Sequence, residues 1–243
     1  MIMMVLNKVK LRKIFVVGVS FFTLVFGMSF CIKKVNPTFN FTDVSLPYTQ
    51  GTKKGSGYVG LTCNVDLGWE NEYVEAILDA LKKEDVKITF NVTGKWAEKN
   101  EELLLRIHKE GHEVGNHGHK HLDYAKISYE ENFNQISMSK KIIEDIIKQE
   151  TKFFQAPAGS FGEGTLKAAN ELGYTSIKWN IDTIDWQNRK EPEVVFERVK
   201  KKDIVENSII LMHPTYATSE CIDEIIALIK ERGFKAGRLS DIF

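Results

Sequence analysis

From Tyr58 to the C-terminus, short β-branched runs take turns with amphipathic stretches, and this alternation constrains the fold more than any other feature. "YVGLTCNV" reads as a strand, and "EYVEAILDALKKEDV" places Val74, Ile77, Leu78 and Leu81 at helical spacing. "KITFNVTG" reads as a second strand, and "EKNEELLLRIHKEGH" as a helix stopped at Gly111. "EVGNHG" follows as a short strand, then "SYEENFNQISMSKKIIEDIIKQ" as a long amphipathic helix. "KFFQAPAG", "EGTLKAANELGY", "TSIKWNID", "EPEVVFERVKKK", "NSIILMHP" and "SECIDEIIALIKERGF" carry the pattern to the end. Such alternation predicts parallel strands covered by helices, an α/β architecture and in outline a (β/α) barrel. Catalytic groups in such folds sit at the C-terminal edge of the strands. Asp66, His117, Asp182, Asp185 and His213 all fall there.

Lys+Arg and Asp+Glu balance at 33 each, so the net charge carries no nucleic-acid footprint. Cys31, Cys63 and Cys221 lie far apart and form no CxxC pair, which argues against a disulfide framework. An extracytoplasmic location rests instead on the N-terminus. Lys8, Lys10, Arg12 and Lys13 precede residues 14–32, which hold no charge. At 1.5 Å per residue that stretch reaches about 28 Å, close to the ~30 Å hydrocarbon core of a bilayer. The positive charges at 1–13 outnumber Lys33 and Lys34, which predicts a cytoplasmic N-terminus and a body outside. Residues 14–32 read as a single-pass membrane anchor, with a cleaved signal and a secreted product as the alternative. Residues 33–57, with Pro37, Pro47, Gly51, Gly55 and Gly57, read as a linker that has room for a short strand. Residues 58–243 form the catalytic body.

Four of the six histidines, His112, His117, His119 and His121, crowd into "GHEVGNHGHKHLDY". His117 and His121 are four apart, a spacing that on a helical turn shares one face and lets two imidazoles grip one divalent ion. HxxxH also arises by chance, so the spacing alone leaves a structural pair open.

The wider context narrows the choice. "EVGNHGHKHLDY" resembles the E-[IL]-G-N-H-T-x-S-H motif of the polysaccharide deacetylase family (NodB-homology, carbohydrate esterase family 4), with Glu113, Gly115, Asn116, His117 and His121 in register. "FFQAPAGSF" is similar to the family's F-R-P-P-x-G segment, keeping Pro157 and Gly159. "WNIDTIDWQN" is similar to W-S-x-D-T-x-D-W through Trp179, Asp182, Thr183, Asp185 and Trp186, and "IILMHPT" to the late I-I-L-x-H segment with His213.

The resemblance implies a distorted seven-stranded NodB-type barrel and metal-dependent removal of N-acetyl groups from an N-acetylhexosamine polymer. Bacterial peptidoglycan is the first substrate a chain anchored this way would meet. It further implies a divalent ion, zinc foremost, held by His117, His121 and one Asp. His213 becomes the general acid, Asp185 its orienting carboxylate and Trp179 a wall of the acetyl pocket, with Pro157 and Gly159 in the substrate-binding segment. His112 and His119 receive no role from the family and read as structural.

The first motif departs from the family pattern T-F-D-D-G, where one Asp is the base and the next a metal ligand. Here it is "TCNVDLGW". Aligning Thr62 puts Asn64 at the base position, where an amide accepts no proton at neutral pH. Aligning Gly68 makes Asp66 the base, with Leu67 at the ligand position. A stretched first motif of the form T-F-D-x-x-W-G instead recruits Asp66 to the metal. The family's Arg partner of the base is Gln155 here. Losing both charges together avoids a lone buried one and favours Asn64 at the base position. Two functions therefore stand: a peptidoglycan de-N-acetylase, or a weak or inactive member that binds wall glycan or has a structural role at the envelope.

Overall fold

A computed structural model describes residues 46–243; the predicted anchor and the first part of the predicted linker lie outside them. Among the described residues no helix is long and apolar enough to cross a membrane.

β1 (Tyr58–Val65) is buried from Val59 onward, as a strand covered on both faces must be. β2 (Thr89–Val92), β3 (Glu113–Asn116), β4 (Phe153–Phe154) and β5 (Thr175–Ser176) run parallel to it on one side, and β7 (Ile209–Met212) and β6 (Ile181–Asp182) on the other. The order is β5-β4-β3-β2-β1-β7-β6, and a short β8 (Lys235–Gly237) pairs with the start of β1.

The sequence forces this sheet to curl. Seven strands lying flat at ~4.8 Å spacing would separate the edges by roughly 29 Å. Yet β5 and β6 are joined only by residues 177–180, whose extended reach is at most roughly 18 Å. "TSIKWNID", expected as one strand, is therefore two: its ends supply opposite edges and its middle crosses the seam. Residues 46–52, read as part of a linker, are hydrogen-bonded to the body. Tyr48 exchanges backbone bonds with Ser176 and Lys178, and Gln50 bridges Ser208.

Helices cover the outside. α1 (Asn71–Lys83) buries Val74, Ile77, Leu78 and Leu81, the stripe its spacing predicts, and ends on Lys82 and Lys83, which suit the negative end of the helix dipole. The helix expected from Glu98 is instead α3 (Glu101–Lys109), preceded by a separate α2 (Gly94–Lys99), because Asn100 leaves helical geometry at φ −134°. α4 (Tyr129–Ile147) starts where the Ser128 side chain accepts the Glu131 N–H. α5 (Glu163–Glu171), α6 (Pro192–Lys200), α7 (Tyr216–Glu231) and the short α8 (Leu239–Ile242) complete the layer. The main core lies between β1, β2 and β7 and helices α1, α3 and α7.

Candidate active site

The C-terminal ends of β1, β3, β6 and β7 open on one pocket of about 310 Å³. Asn64, His117, His121, Trp179, Asp182, Trp186 and His213 line it, so residues up to 149 positions apart in sequence meet at one sheet edge.

His117 leaves the end of β3 with its ring buried. Its Nδ1 lies 2.6 Å from the Gln155 carbonyl, which fixes the proton there and leaves Nε2 as the free lone pair. Burial, with His121 nearby, pulls its pKa down to about 3, so the ring is neutral and competent as a ligand near pH 7. His121 does not share a helical turn with it. Gly118 adopts φ +76° with its missing Cβ against the Tyr124 ring, and the chain continues as a loop. That loop is pinned where Gly94 and Lys95 donate to the carbonyls of Gly118 and His119. The two imidazole centroids come to 5.7 Å by this route.

Asp66 closes the same side. Its Oδ1 accepts the Gly68 N–H at 2.5 Å, and its Oδ2 lies 3.6 Å from His121 Nε2. Two ligands of one tetrahedral zinc, each about 2.1 Å from the ion, are separated by roughly 3.4 Å. Two imidazoles and a carboxylate therefore fit a divalent ion in kind, and Asp66 and His121 fit it in spacing. Among the described residues, no three His, Cys, Asp or Glu side chains already converge as a finished cage.

Across the pocket stands His213, at the end of β7. Asp185 is fully buried behind it; its Oδ1 faces His213 Nδ1 at 2.8 Å and its Oδ2 accepts the His213 backbone N–H at 2.6 Å. Thr218 Oγ1 donates to the same Oδ2 at 2.6 Å. Nδ1 is thus committed, and Nε2 is the nitrogen left for the pocket.

Asn64 occupies the floor. The sheet register aligns Asn64 with Asn91 and Asn91 with Gly115, so these positions point the same way in one row. Asn91 Nδ2 donates to Asn64 Oδ1 at 2.9 Å and to Gln155 Oε1 at 3.1 Å. An ideal Cβ on Gly115 would lie 2.2 Å from Asn91 Oδ1, so only glycine leaves space for this amide. Three neutral amides, Asn64, Asn91 and Gln155, fill the place where the family pattern carries a charged pair, as the paired loss of both charges in the sequence predicts.

The "APAG" turn presents Ala158 to the pocket, at φ +52°, while Pro157 and Gly159 are buried beneath it. Neither of those two is a pocket-lining contact. Gly159 makes room for Trp179, whose ring lies 2.9 Å from where a Cβ would stand. Asn116 is scaffolding: its amide donates to the Ile136 carbonyl and Tyr174 Oη and accepts the Gly118 N–H. His112 and His119 are buried away from the pocket.

Sequence reasoning passed over Trp69, Asn91, Arg189 and Thr218. Trp69 packs on His213 with ring centroids 5.0 Å apart, and Arg189 lies over Trp69 at 4.3 Å. An aromatic beside Gly68 and a cation four residues past Asp185 were visible signals; the pairing of Asn91 with Asn64 needed the strand register.

The polysaccharide deacetylase family profile matches residues 52–177. Over 178 residues the chain is 36% identical to the YlxY protein of Bacillus subtilis, covering 73% of this chain and 55% of that one. A peptidoglycan-N-acetylglucosamine deacetylase of Bacillus cereus is 32% identical over 183 residues, covering 73% of this chain and 66% of the relative. The chain thus spans between half and two thirds of these relatives' lengths. Among solved structures, a CE4 family pseudoenzyme from Bacillus anthracis superposes with a TM-score of 0.76 at 38% identity, covering 81% of this chain and 68% of that one. Profile, relatives and fold agree with the four motifs gathered at the sheet edge, and the chain belongs to the polysaccharide deacetylase family.

Proposed function

We propose that this protein acts on N-acetylated hexosamines of bacterial peptidoglycan and removes their acetyl groups slowly. The observation that carries the reading is the two-sided pocket: His117 and His121 line one side, with Asp66 beside His121, and an Asp185-held His213 lines the other. A divalent ion, zinc foremost, bound by His117, His121 and Asp66 would supply an activated water and polarise the acetamide carbonyl. His213 donates a proton from Nε2 to the departing amine, because Asp185 retains the proton on Nδ1. Trp179 and Leu211 give the acetyl methyl an apolar wall. Asn64 orients water by hydrogen bonding but accepts no proton, which leaves Asp66 as the carboxylate of the metal side.

A second reading is favoured by one observation. The amide cluster Asn64–Asn91–Gln155 replaces the charged pair, as suits a member that binds glycan without turnover. A similar solved structure, 37% identical, is a mutant of the Bacillus anthracis pseudoenzyme with restored enzymatic activity. Amine release from purified peptidoglycan by the detergent-solubilised chain, with and without zinc, separates the two. Slow, zinc-dependent release supports hydrolysis; glycan retention without release supports binding; the absence of both release and retention overturns both readings.

We also propose that the body lies outside the cytoplasmic membrane, with residues 1–13 inside and 14–32 as anchor, or as a signal whose removal secretes the body. Four positive charges against two support that orientation. A reporter active only in the cytoplasm, fused after Phe243, stays silent if this is right.

A further inference from the structure

Resting on the glycan reading, we infer that Arg189 is a carboxylate-recognition point, so that the pocket prefers a hexosamine carrying an acidic substituent over a neutral one. Arg189 lines the pocket with His213, Trp69 and Trp186. It is an exposed cation, yet its position is set at three points. Its guanidinium lies over the Trp69 ring at 4.3 Å, its Nε donates to the Trp186 carbonyl at 3.3 Å, and its own carbonyl accepts the Ala217 N–H at 2.8 Å.

Stacking and the Nε bond leave the two terminal nitrogens of the fork. Among the described residues Arg189 enters no ion pair. Asp182 lines the same pocket, but its Oδ1 is occupied by the Ile184 N–H and it forms no ion pair with Arg189. Asp185 is committed to His213 and Thr218, and Asp66 faces His121. A planar guanidinium held in one place by an aromatic face loses little rotamer freedom when it meets a carboxylate, and it offers two parallel donors. Neutral hydroxyls use that geometry poorly. The substituent that fits is a carboxylate one short arm away from a sugar ring packed on Trp186 or Trp69.

The test is equilibrium binding to the full chain in detergent at low salt, with three probes. They are neutral chitotetraose, a tetrasaccharide alternating GlcNAc with lactyl-bearing MurNAc, and the same tetrasaccharide with its carboxylates converted to amides. The acid form should bind about threefold to tenfold tighter than its amide, the range of a partly exposed charge-assisted pair. That preference should shrink with added salt. Arg189→Gln should bring the acid-to-amide affinity ratio to about one, and Arg189→Lys should restore part of it, a point charge lacking the fork. Equal affinity of wild type for acid and amide, or a preference that survives Arg189→Gln, overturns the inference and leaves the glycan reading intact. Failure of all three probes to bind the wild type overturns the glycan reading, and the inference with it.

Discussion

Asp185 holds His213 at two places, taking the backbone N–H on Oδ2 at 2.6 Å and facing Nδ1 with Oδ1 at 2.8 Å. One carboxylate therefore fixes both where the residue sits and which nitrogen carries the proton. Thr218 supplies a third bond to the same group from the first turn of α7. Asp185→Asn keeps the shape but can present an N–H to Nδ1, which would turn the proton-bearing nitrogen around. The expected loss in deacetylation is about 10–100-fold. It is measured as amine release at fixed pH, with zinc content confirming an intact metal side. Unchanged release would mean that His213 is not the proton donor.

The amide floor makes a paired prediction. Asn64→Asp alone puts a carboxylate among Asn91 and Gln155 with no cation to meet it, and should cost about 3 kcal/mol in urea unfolding. Adding Gln155→Arg supplies the partner and should recover most of that loss. Because a general base contributes typically about 10²–10⁴-fold, the double variant should release acetyl groups faster than the wild type by a factor in that range. A double variant that is stable and no faster would place the missing function elsewhere than position 64.

Metal retention should depend on the residues of one side only. His117→Ala, His121→Ala and Asp66→Ala are each expected to lower the zinc kept after dialysis, whereas His213→Ala should not. The reason lies in the geometry: Asp66 and His121 stand 3.6 Å apart as two ligands of one ion would, and His117 has one nitrogen committed and one free. Equal zinc in all four variants and the wild type, by elemental analysis, would remove the metal assignment.

How far the sequence could be read depended on how local each determinant is. β1 and α1 were legible because a buried strand and an apolar stripe announce themselves within a dozen residues. His117, Asp185 and His213 were placed at strand ends by the same alternation. "TSIKWNID" was misread as one strand because only the strand order, a property of the whole sheet, shows that its two ends serve opposite edges. The four-residue spacing of His117 and His121 would share one face on a helical turn, but Gly118 and the bonds from Gly94 and Lys95 hold the segment as a loop that brings the rings together by another route. Asn91 drew no notice because a polar residue in a strand is ordinary until the register sets it beside Asn64.

Acid should destabilise the protein partly through His112, a histidine that the site does not use. Its ring is buried against Phe90, its Nδ1 accepts the Ile88 N–H at 3.2 Å, and no partner among the described residues meets Nε2. Burial, with Lys87 adding to it, pulls its pKa from 6.5 down to about 4. A histidine with a lowered folded-state value stabilises the fold above its unfolded value and loses that contribution as pH falls towards the folded value. The window is therefore pH 6.5 down to about 4, where the unfolded chain takes up a proton that the folded ring refuses. At pH 4.5 the loss from this one group should be roughly 2–3 kcal/mol relative to pH 7. His112→Gln should lose about 1 kcal/mol at pH 7, where the bond from Ile88 weakens, yet fall less steeply on acidification. Its stability difference between pH 7 and 4.5, from urea unfolding, should be smaller than the wild type's by that same 2–3 kcal/mol. His117 and His119, whose values are also lowered, leave a residual acid loss common to both proteins. An identical pH slope in variant and wild type would show that His112 is already protonated in the fold, or already paired.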